Sequence, residues 1–196
     1  MKNKITLGNE VMVSDPCYEV PTWCQIKVYD TLPGKYVTDA KKIDCQDCGN
    51  RIGYLTAVHE DYLDQDLKWT KHSGEVGVDS GQAGIFSIES YRDDNIVDEI
   101  GLGDGDISFF DQFPIDRSKE SGESWYRAIC SRTLGKKQWG TYSNGVVSSS
   151  GLGDGGYVLY VAKVKRKVVG FCIDFGIDEE GTFPPNKKKN KLHPML

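Results

Sequence analysis

The stretch that decides the fold is "GVVSSSGLGDGGYVLYVAKVKRKVVGFCIDFG", residues 145–176. Three segments rich in Val, Tyr, Phe and Ile lie in it, separated by a Gly-rich loop and by a basic "KRK" turn. β-Branched and aromatic residues favour extended backbone, whereas glycine and short polar residues favour turns. The pattern therefore predicts three consecutive strands that form a β-meander.

The same alternation of β-rich segments and turns extends towards the N-terminus. Segments predicted as strands are "KITLG" (4–8), "EVMVS" (10–14), "QIKVYD" (25–30) and "RIGYLTAVH" (51–59), and "EVGVDSGQAGIF" (75–86) reads as strand, turn and strand. The polar run 60–73 predicts a loop. The sequence therefore indicates short strands along most of the chain.

One segment has a helical pattern, "SGESWYRAICSRTLG" at residues 121–135. Ser121 or Ser124 can cap its N-terminus, and Gly135 can end it. We expect a mainly β (α+β) fold, an antiparallel sheet or sandwich with one or two short helices. The 196 residues fit one domain, 1–183, followed by a basic, flexible tail, 184–196.

The charge distribution restricts the partners. The net charge is −5, and without the four lysines of the tail the chain keeps 20 basic against 29 acidic residues, about −9. We therefore expect no nucleic-acid partner, because phosphate contacts need Lys and Arg. An apolar run near 18 residues is absent from the sequence, so we expect no membrane partner and a cytoplasmic protein with reduced cysteines.

The pentapeptide "GLGDG" occurs at residues 101–105 and again at 151–155. The second copy matches G-x-G-x-x-G, but a β-rich segment follows it instead of the helix that a dinucleotide site requires. The first copy lacks the glycine and the final Glu of an EF-hand calcium loop. Both copies are therefore interpreted as turns, and the second, which hydroxyl groups flank, is the better candidate for a ligand site.

Polar and aromatic residues beside Gly and Pro turns supply the candidate ligand-binding groups. They are Asp15, Tyr18, Trp23, Asp79, Ser80, Gln82, Ser149, Ser150, Asp154 and Tyr157. The alternatives are purely structural turns at 79–82 and 151–155, and a Trp23 that belongs to the core.

Evidence for catalysis or a metal is thin in the sequence. Cys45-x-x-Cys48-Gly is half of a zinc ribbon motif, but a second half is missing, so no metal and no cofactor is assigned. The G-x-S-x-G motif of serine hydrolases does not occur. If the protein is an enzyme, the carboxylates of Asp15, Asp79 and Asp154 are better candidates than a triad.

Four segments in order, "VDSGQAGIF", "WYRAIC", "SSSGLGDGGYVLYV" and "VVGFCIDF", resemble the domain-of-unknown-function family four-two-four-one and its phage-encoded relatives. The resemblance covers about Val76 to Phe175, and "SDPCYEVPTWCQ" is similar to the opening of the phage-type members. It implies a location for the site but no activity. The matching positions are Asp79, Ser80, Gly81, Ser149, Ser150, Gly153, Asp154, Gly155 and Tyr157.

Together these features lead us to expect a small-ligand-binding protein, a phage-encoded sponge in the host cytoplasm that sequesters a nucleotide-type immune second messenger. A cyclic or modified nucleotide would suit hydroxyl, carboxylate and Gly-backbone groups. One alternative is a hydrolase or lyase that degrades such a ligand through carboxylates. Another is a protein-interaction inhibitor of a host factor, and a homo-oligomer is compatible with the sequence.

Overall fold

The structure is a computed structural model that describes residues 3–112 and 122–177. Within these residues, eleven strands form two sheets whose neighbouring strands are all antiparallel. In chain order they are β1 Asn3–Leu7, β2 Val11–Ser14, β3 Ile26–Val28, β4 Gly34–Asp44, β5 Asn50–His59, β6 Trp69–Val78, β7 Gln82–Ser87, β8 Trp139–Tyr142, β9 Gly145–Ser149, β10 Gly155–Val164 and β11 Lys167–Asp174. The predicted mainly β fold is confirmed.

The first sheet has six strands in the order β1-β4-β5-β11-β10-β6, and the second has five in the order β3-β2-β7-β9-β8. One core cluster takes buried side chains from both, including Leu55 and Phe171 of the first sheet and Val13 and Ile85 of the second. The sheets therefore pack face to face as a sandwich. Apolar burial of this kind contributes about 25 cal/mol per Å².

A helix covers the outer face of the second sheet. Helix α2, Glu123–Thr133, follows the single turn α1, Val97–Ile100, and packs Trp125 and Ile129 against Phe86 in a second cluster. All residues of β7 are buried, because Ala83 and Ile85 face the sandwich core while Phe86 faces the helix. This accounts for the continuous apolar run in that strand.

The N-terminus of α2 differs from the prediction. Gly122 occupies the N-cap position without a side-chain cap, and Ser124 lies inside the helix. The Asp94 carboxylate accepts instead from the N–H groups of Gly122, at 3.0 Å, and Trp125, at 2.8 Å. The predicted Ser124 cap is thus wrong, because a side chain distant in sequence satisfies the free N–H groups. Ser121 lies outside the described residues.

Three strand predictions are corrected. β4 and β8 were not predicted, and β6 begins at Trp69, inside the run expected to be a loop. The β-meander is also wrong, because β9 belongs to the five-stranded sheet whereas β10 and β11 belong to the other. The Gly-rich loop 150–154 therefore crosses from one sheet to the other at the edge of the sandwich.

Within the described part of the chain, no helix combines the length and the apolar character needed to cross a membrane. The basic tail predicted at 184–196 lies outside the described residues.

Candidate functional site

Three segments that the sequence singled out meet at one edge of the sandwich. The first is the loop that follows β2, the second is the turn between β6 and β7, and the third is the Gly-rich loop between β9 and β10. The second and third both connect one sheet to the other. Groups far apart in sequence are thus brought together where the chain passes between the layers.

Asp15 joins the first segment to the second. Its fully buried carboxylate accepts from the backbone N–H of Cys17 (2.8 Å), Asp79 (2.9 Å) and Ser80 (2.7 Å), and from the Ser80 hydroxyl (2.7 Å). Four bonds fill the acceptor capacity of a carboxylate. Asp15 is therefore a clamp between two loops, and its oxygens do not face a ligand.

Gly81 joins the second segment to the third. Its N–H donates to the Asp154 carboxylate at 3.0 Å, and its carbonyl accepts from the Ser150 N–H at 2.9 Å. The positive φ of +68° at Gly81 makes this turn possible, since residues with a Cβ rarely adopt it. The β6–β7 turn is consequently held from both sides, by Asp15 and by the Gly-rich loop.

The Gly-rich loop is also tied to itself. The Ser150 hydroxyl donates to the Gly153 carbonyl at 2.8 Å. The Tyr157 phenol contacts the Gly153 and Ser150 carbonyls at 2.6 and 2.9 Å, and its ring meets Phe175 edge-on at 5.1 Å. The loop is a rigid part of the scaffold, and these two predicted ligand residues stabilise it from within.

The first segment is fixed by side chains that lie behind it. The Tyr91 hydroxyl lies 2.9 Å from the carbonyls of both Asp15 and Tyr18, and the Gln25 amide oxygen accepts from the Thr22 N–H at 2.9 Å. The Cys24 carbonyl accepts from the Gly77 N–H of the edge strand β6 at 3.1 Å. This segment is therefore placed alongside the edge of the six-stranded sheet.

A cleft of about 390 Å³ lies between this segment and the ends of β6 and β10. Tyr18, Thr22 and Trp23 form one side of it. Gly77 and Gly156, which are directly opposite in the β6–β10 pair, contribute bare backbone. A cavity of this size, with aromatic side chains and a few polar groups, is typical of small-molecule sites.

Trp23 is the most unusual residue of the cleft, because 95% of its surface is exposed. Tryptophan is among the side chains that gain most from burial, so a solvent-facing indole beside a cavity is available to pack against a ligand. The alternative that Trp23 belongs to the core is excluded by this exposure.

Two carboxylates also line the cleft, those of Glu75 and Asp79, and both residues are exposed. Desolvation, followed by interactions with Asp79 and Cys24, raises the pKa of the Tyr18 phenol above its ordinary value. Tyr18 is thus a neutral hydrogen-bonding group next to Asp79. Among the described residues that line the cleft, none is Lys, Arg or His.

The ten predicted ligand residues fall into three sets. Those that line the cleft are Tyr18, Trp23 and Asp79, and those that form the hydrogen-bonded scaffold beside it are Asp15, Ser80, Ser150, Asp154 and Tyr157. The remaining two, Gln82 and Ser149, pair in register on β7 and β9, and the Gln82 amide contacts Thr133 and Cys130 of α2. Gln82 and Ser149 therefore lie on the strands beneath α2 and outside the cleft lining.

Glu75 and Thr22 line the cleft without having been predicted. In the sequence, Glu75 looks like an ordinary exposed residue of a strand. The one signal that could have identified it as a site residue is its position two residues before Gly77. Its carboxylate lies over Gly156, where a Cβ would come within 3.1 Å of it. The missing side chain at Gly156 therefore makes room for Glu75.

The two GLGDG copies differ in what their glycines contact. In the first copy, the Gly105 N–H donates to the Ser131 carbonyl at 2.8 Å, and the Gly103 N–H donates to the Ser131 hydroxyl at 2.6 Å. A Cβ at Gly103 would lie 2.5 Å from the Ser131 carbonyl oxygen. This copy covers the C-terminal end of α2, while the second contributes Gly155 to the cleft.

The described residues give little support for a reactive thiol or a metal site. Burial and the neighbouring Asp15 carboxylate raise the pKa of the Cys17 thiol to about 12, so this thiol is protonated near neutral pH. Cys45 and Cys48 lie at the tip of the β4–β5 hairpin. In residues 3–112 and 122–177, no three His, Cys, Asp or Glu side chains group as a metal site would require.

Comparisons with protein-family models, with curated proteins and with solved structures give no match for this chain.

Proposed function

We propose that this protein binds a small ligand in the cleft between the loop after β2 and the ends of β6 and β10. The observation that carries the proposal is the 95% exposed Trp23 at the edge of a cavity of about 390 Å³. Exposing a large aromatic side chain forgoes about 2 kcal/mol of burial energy, which a ligand stacked on the indole would recover.

The rigidity of the surroundings supports binding. Tyr91 fixes the loop that presents Tyr18, and Asp15 fixes the turn that presents Asp79. A site whose loops are already ordered loses little conformational entropy when it binds, so more of the contact energy appears as affinity. The same clamps commit Asp15 and Asp154 to structural bonds, which favours binding over hydrolysis by those carboxylates.

The chemistry of the cleft suggests which ligands fit. A planar or compact apolar group would lie against Trp23, and hydrogen-bond donors would meet the carboxylates of Asp79 and Glu75. A nucleobase with its exocyclic amino group is one such group, so sequestration of a nucleotide-type messenger is the narrower form of the proposal. It requires the phosphate to lie outside the cleft, because the described lining offers no cationic side chain.

Membership of the domain-of-unknown-function family four-two-four-one is part of the proposal. The DSG and GDG segments that carry the resemblance form the turn and the loop beside the cleft.

The test is native mass spectrometry of the purified protein, with equilibrium dialysis against a panel of nucleosides, nucleotides and amines. We expect a bound ligand, and a loss of affinity of about tenfold or more for Trp23→Ala, the typical cost of removing a stacking aromatic. Tyr29→Ala is the matched control, since Tyr29 is 57% exposed and lies outside the cleft lining. Equal binding by Trp23→Ala and the parent protein would contradict the proposal.

A second measurement separates binding from turnover. The ligand released by heat denaturation is compared with the ligand added. An unchanged mass supports a sponge, and an altered mass supports a hydrolase or lyase.

A further inference from the structure

The cleft presents an aromatic ring and two carboxylates at one cavity. Glu75 and Asp79 line it from β6 and the residue that follows, and Trp23 lines it from the loop after β2. The only other charged or titratable groups among its described lining residues are the neutral Tyr18 phenol and the Cys24 thiol. The cleft therefore carries negative charge with no countercharge of its own.

We propose that the ligand of this cleft is an organic cation, an ammonium or alkylammonium group held between the Trp23 ring and the carboxylates of Glu75 and Asp79. This inference rests on the proposed function that a small ligand binds in this cleft, and it names a cationic ligand class in place of the nucleotide. An indole attracts a cation to its face through its quadrupole, and tryptophan does so more strongly than tyrosine or phenylalanine.

Both carboxylates keep acceptor capacity for a ligand, although the Tyr18 phenol already hydrogen-bonds to the Asp79 carboxylate. The bonds that fix the turn at Asp79 run through its backbone N–H to Asp15, so the Asp79 side chain is not needed to hold the turn. The Glu75 carboxylate lies over Gly156, and the missing side chain of that glycine leaves room for it. In contrast, the Asp154 carboxylate accepts from the Gly81 N–H and belongs to the scaffold.

The negative charge of the whole chain also favours a cationic ligand. The net charge is −5, and a negative surface with a negative cleft raises the local concentration of cations and repels phosphate. A bound cation would also offset the negative charge of the two carboxylates.

Three probe molecules of nearly equal shape test whether the ligand is a cation. They are choline, its neutral isostere 3,3-dimethylbutan-1-ol, and the anion 3,3-dimethylbutanoate, each titrated into the full chain and followed by NMR shifts of the Trp23 indole N–H and by calorimetry. We expect choline to bind at least about fivefold more tightly than the neutral isostere, with the anion weaker still. Choline binding should also weaken as salt increases.

Two variants test whether the carboxylates of Glu75 and Asp79 attract the cation. Glu75→Gln and Asp79→Asn should each reduce choline affinity by about fivefold while leaving the neutral alcohol unchanged. Glu99→Gln is the matched control, because Glu99 is exposed on α1 and lies outside the cleft lining. Circular dichroism and urea unfolding of all three verify that the fold is kept.

The results separate the ligand class from the proposed function. If the neutral or anionic probe binds as tightly as choline, or if Glu75→Gln and Asp79→Asn leave choline binding unchanged, the cation inference is refuted while binding at Trp23 stands. If none of the probes and no member of the nucleoside and amine panel shifts the Trp23 resonance, both proposals fail.

Discussion

Asp15→Asn should destabilise the fold strongly, because this carboxylate ties two loops together in the interior. The side chain is fully buried and accepts four hydrogen bonds. An amide has one oxygen, so it can retain the pair of N–H groups from Asp79 and Ser80 but turns its NH₂ towards the Cys17 N–H and the Ser80 hydroxyl. The hydroxyl can rotate to accept, whereas the Cys17 N–H is left without an acceptor.

The magnitude follows from this count. Leaving the partly buried Cys17 N–H without an acceptor costs about 1–3 kcal/mol, and replacing charged by neutral acceptors in the remaining bonds adds about 1 kcal/mol. We therefore expect a loss of about 2–4 kcal/mol in the free energy of unfolding, a large share of the 5–15 kcal/mol of an ordinary domain. With a slope near 2 kcal/mol per M, the urea midpoint falls by about 1–2 M.

The assay is urea unfolding followed by far-UV circular dichroism and by tryptophan fluorescence. Asp66→Asn is the matched control, since Asp66 is exposed in the segment before β6, and its stability should change by less than about 0.5 kcal/mol. If Asp15→Asn were as stable as this control, the clamp would not contribute to folding, and the description of Asp15 as a structural residue would be refuted.

Three further predictions concern other parts of the scaffold. Asp94→Ala removes the acceptor of two N–H groups at the start of α2 and should lower the unfolding free energy by about 1–2 kcal/mol in urea titrations; a change no larger than that of the exposed Asp98→Ala would contradict the cap. Gly103→Ala should cost about 1–3 kcal/mol in the same assay, since its Cβ would lie 2.5 Å from the Ser131 carbonyl oxygen, and an unchanged midpoint would refute that close packing. Because the Cys17 pKa is raised to about 12, its thiol stays neutral at pH 8 and should be alkylated by iodoacetamide much more slowly than the exposed Cys48, as read by peptide mass spectrometry. The same raised pKa means that the stability from the neutral Cys17 thiol is complete below pH 9 and falls as the pH rises towards 12.

The sequence predicts secondary structure well where one local property decides it. The apolar runs of β2, β7 and β11 and the pattern of Trp125 and Ile129 in α2 are strong local signals. The sequence does not predict β4, because three of its last four residues, "KKID" at 41–44, are charged and its pairing with β5 decides the structure. The Asp94 cap of α2 could not be predicted from local sequence either, because it lies 28 residues before Gly122.

The main error in the fold predicted from the sequence is the sheet to which β9 belongs. Consecutive strands pair in most proteins, so β9, β10 and β11 were expected to be neighbours. Nothing in a Gly-rich loop distinguishes a hairpin turn from a passage between two sheets, because both need residues that tolerate positive φ. In this protein Gly151 and Gly153 have φ values of +58° and +117°, and the loop crosses the edge of the sandwich.

The sequence predicts where the site lies better than it predicts which side chains line the cleft. Residue type indicated that polar groups at Asp15, Asp79 and Asp154 belong near turns, and the structure brings those three turns together. The sequence does not show whether a carboxylate faces solvent or a backbone N–H. Of the three, only the Asp79 side chain lines the cleft, and its partner there, Glu75, has the appearance of any strand residue.

The polar clamp behind the cleft is itself an argument for a positioned site. An edge where two sheets meet can be closed by apolar packing, and burying a carboxylate is no more stabilising than well-packed hydrophobic residues of similar volume. Asp15 is nevertheless buried, and its bonds fix the backbone of Asp79 and Ser80 to one geometry. Directional bonds of this kind set the position of a turn more narrowly than apolar contacts do. If the clamp serves the cleft, Asp15→Asn at a temperature where it is still folded should weaken binding at Trp23 beyond what its lost stability explains, and unchanged affinity would assign Asp15 to folding alone.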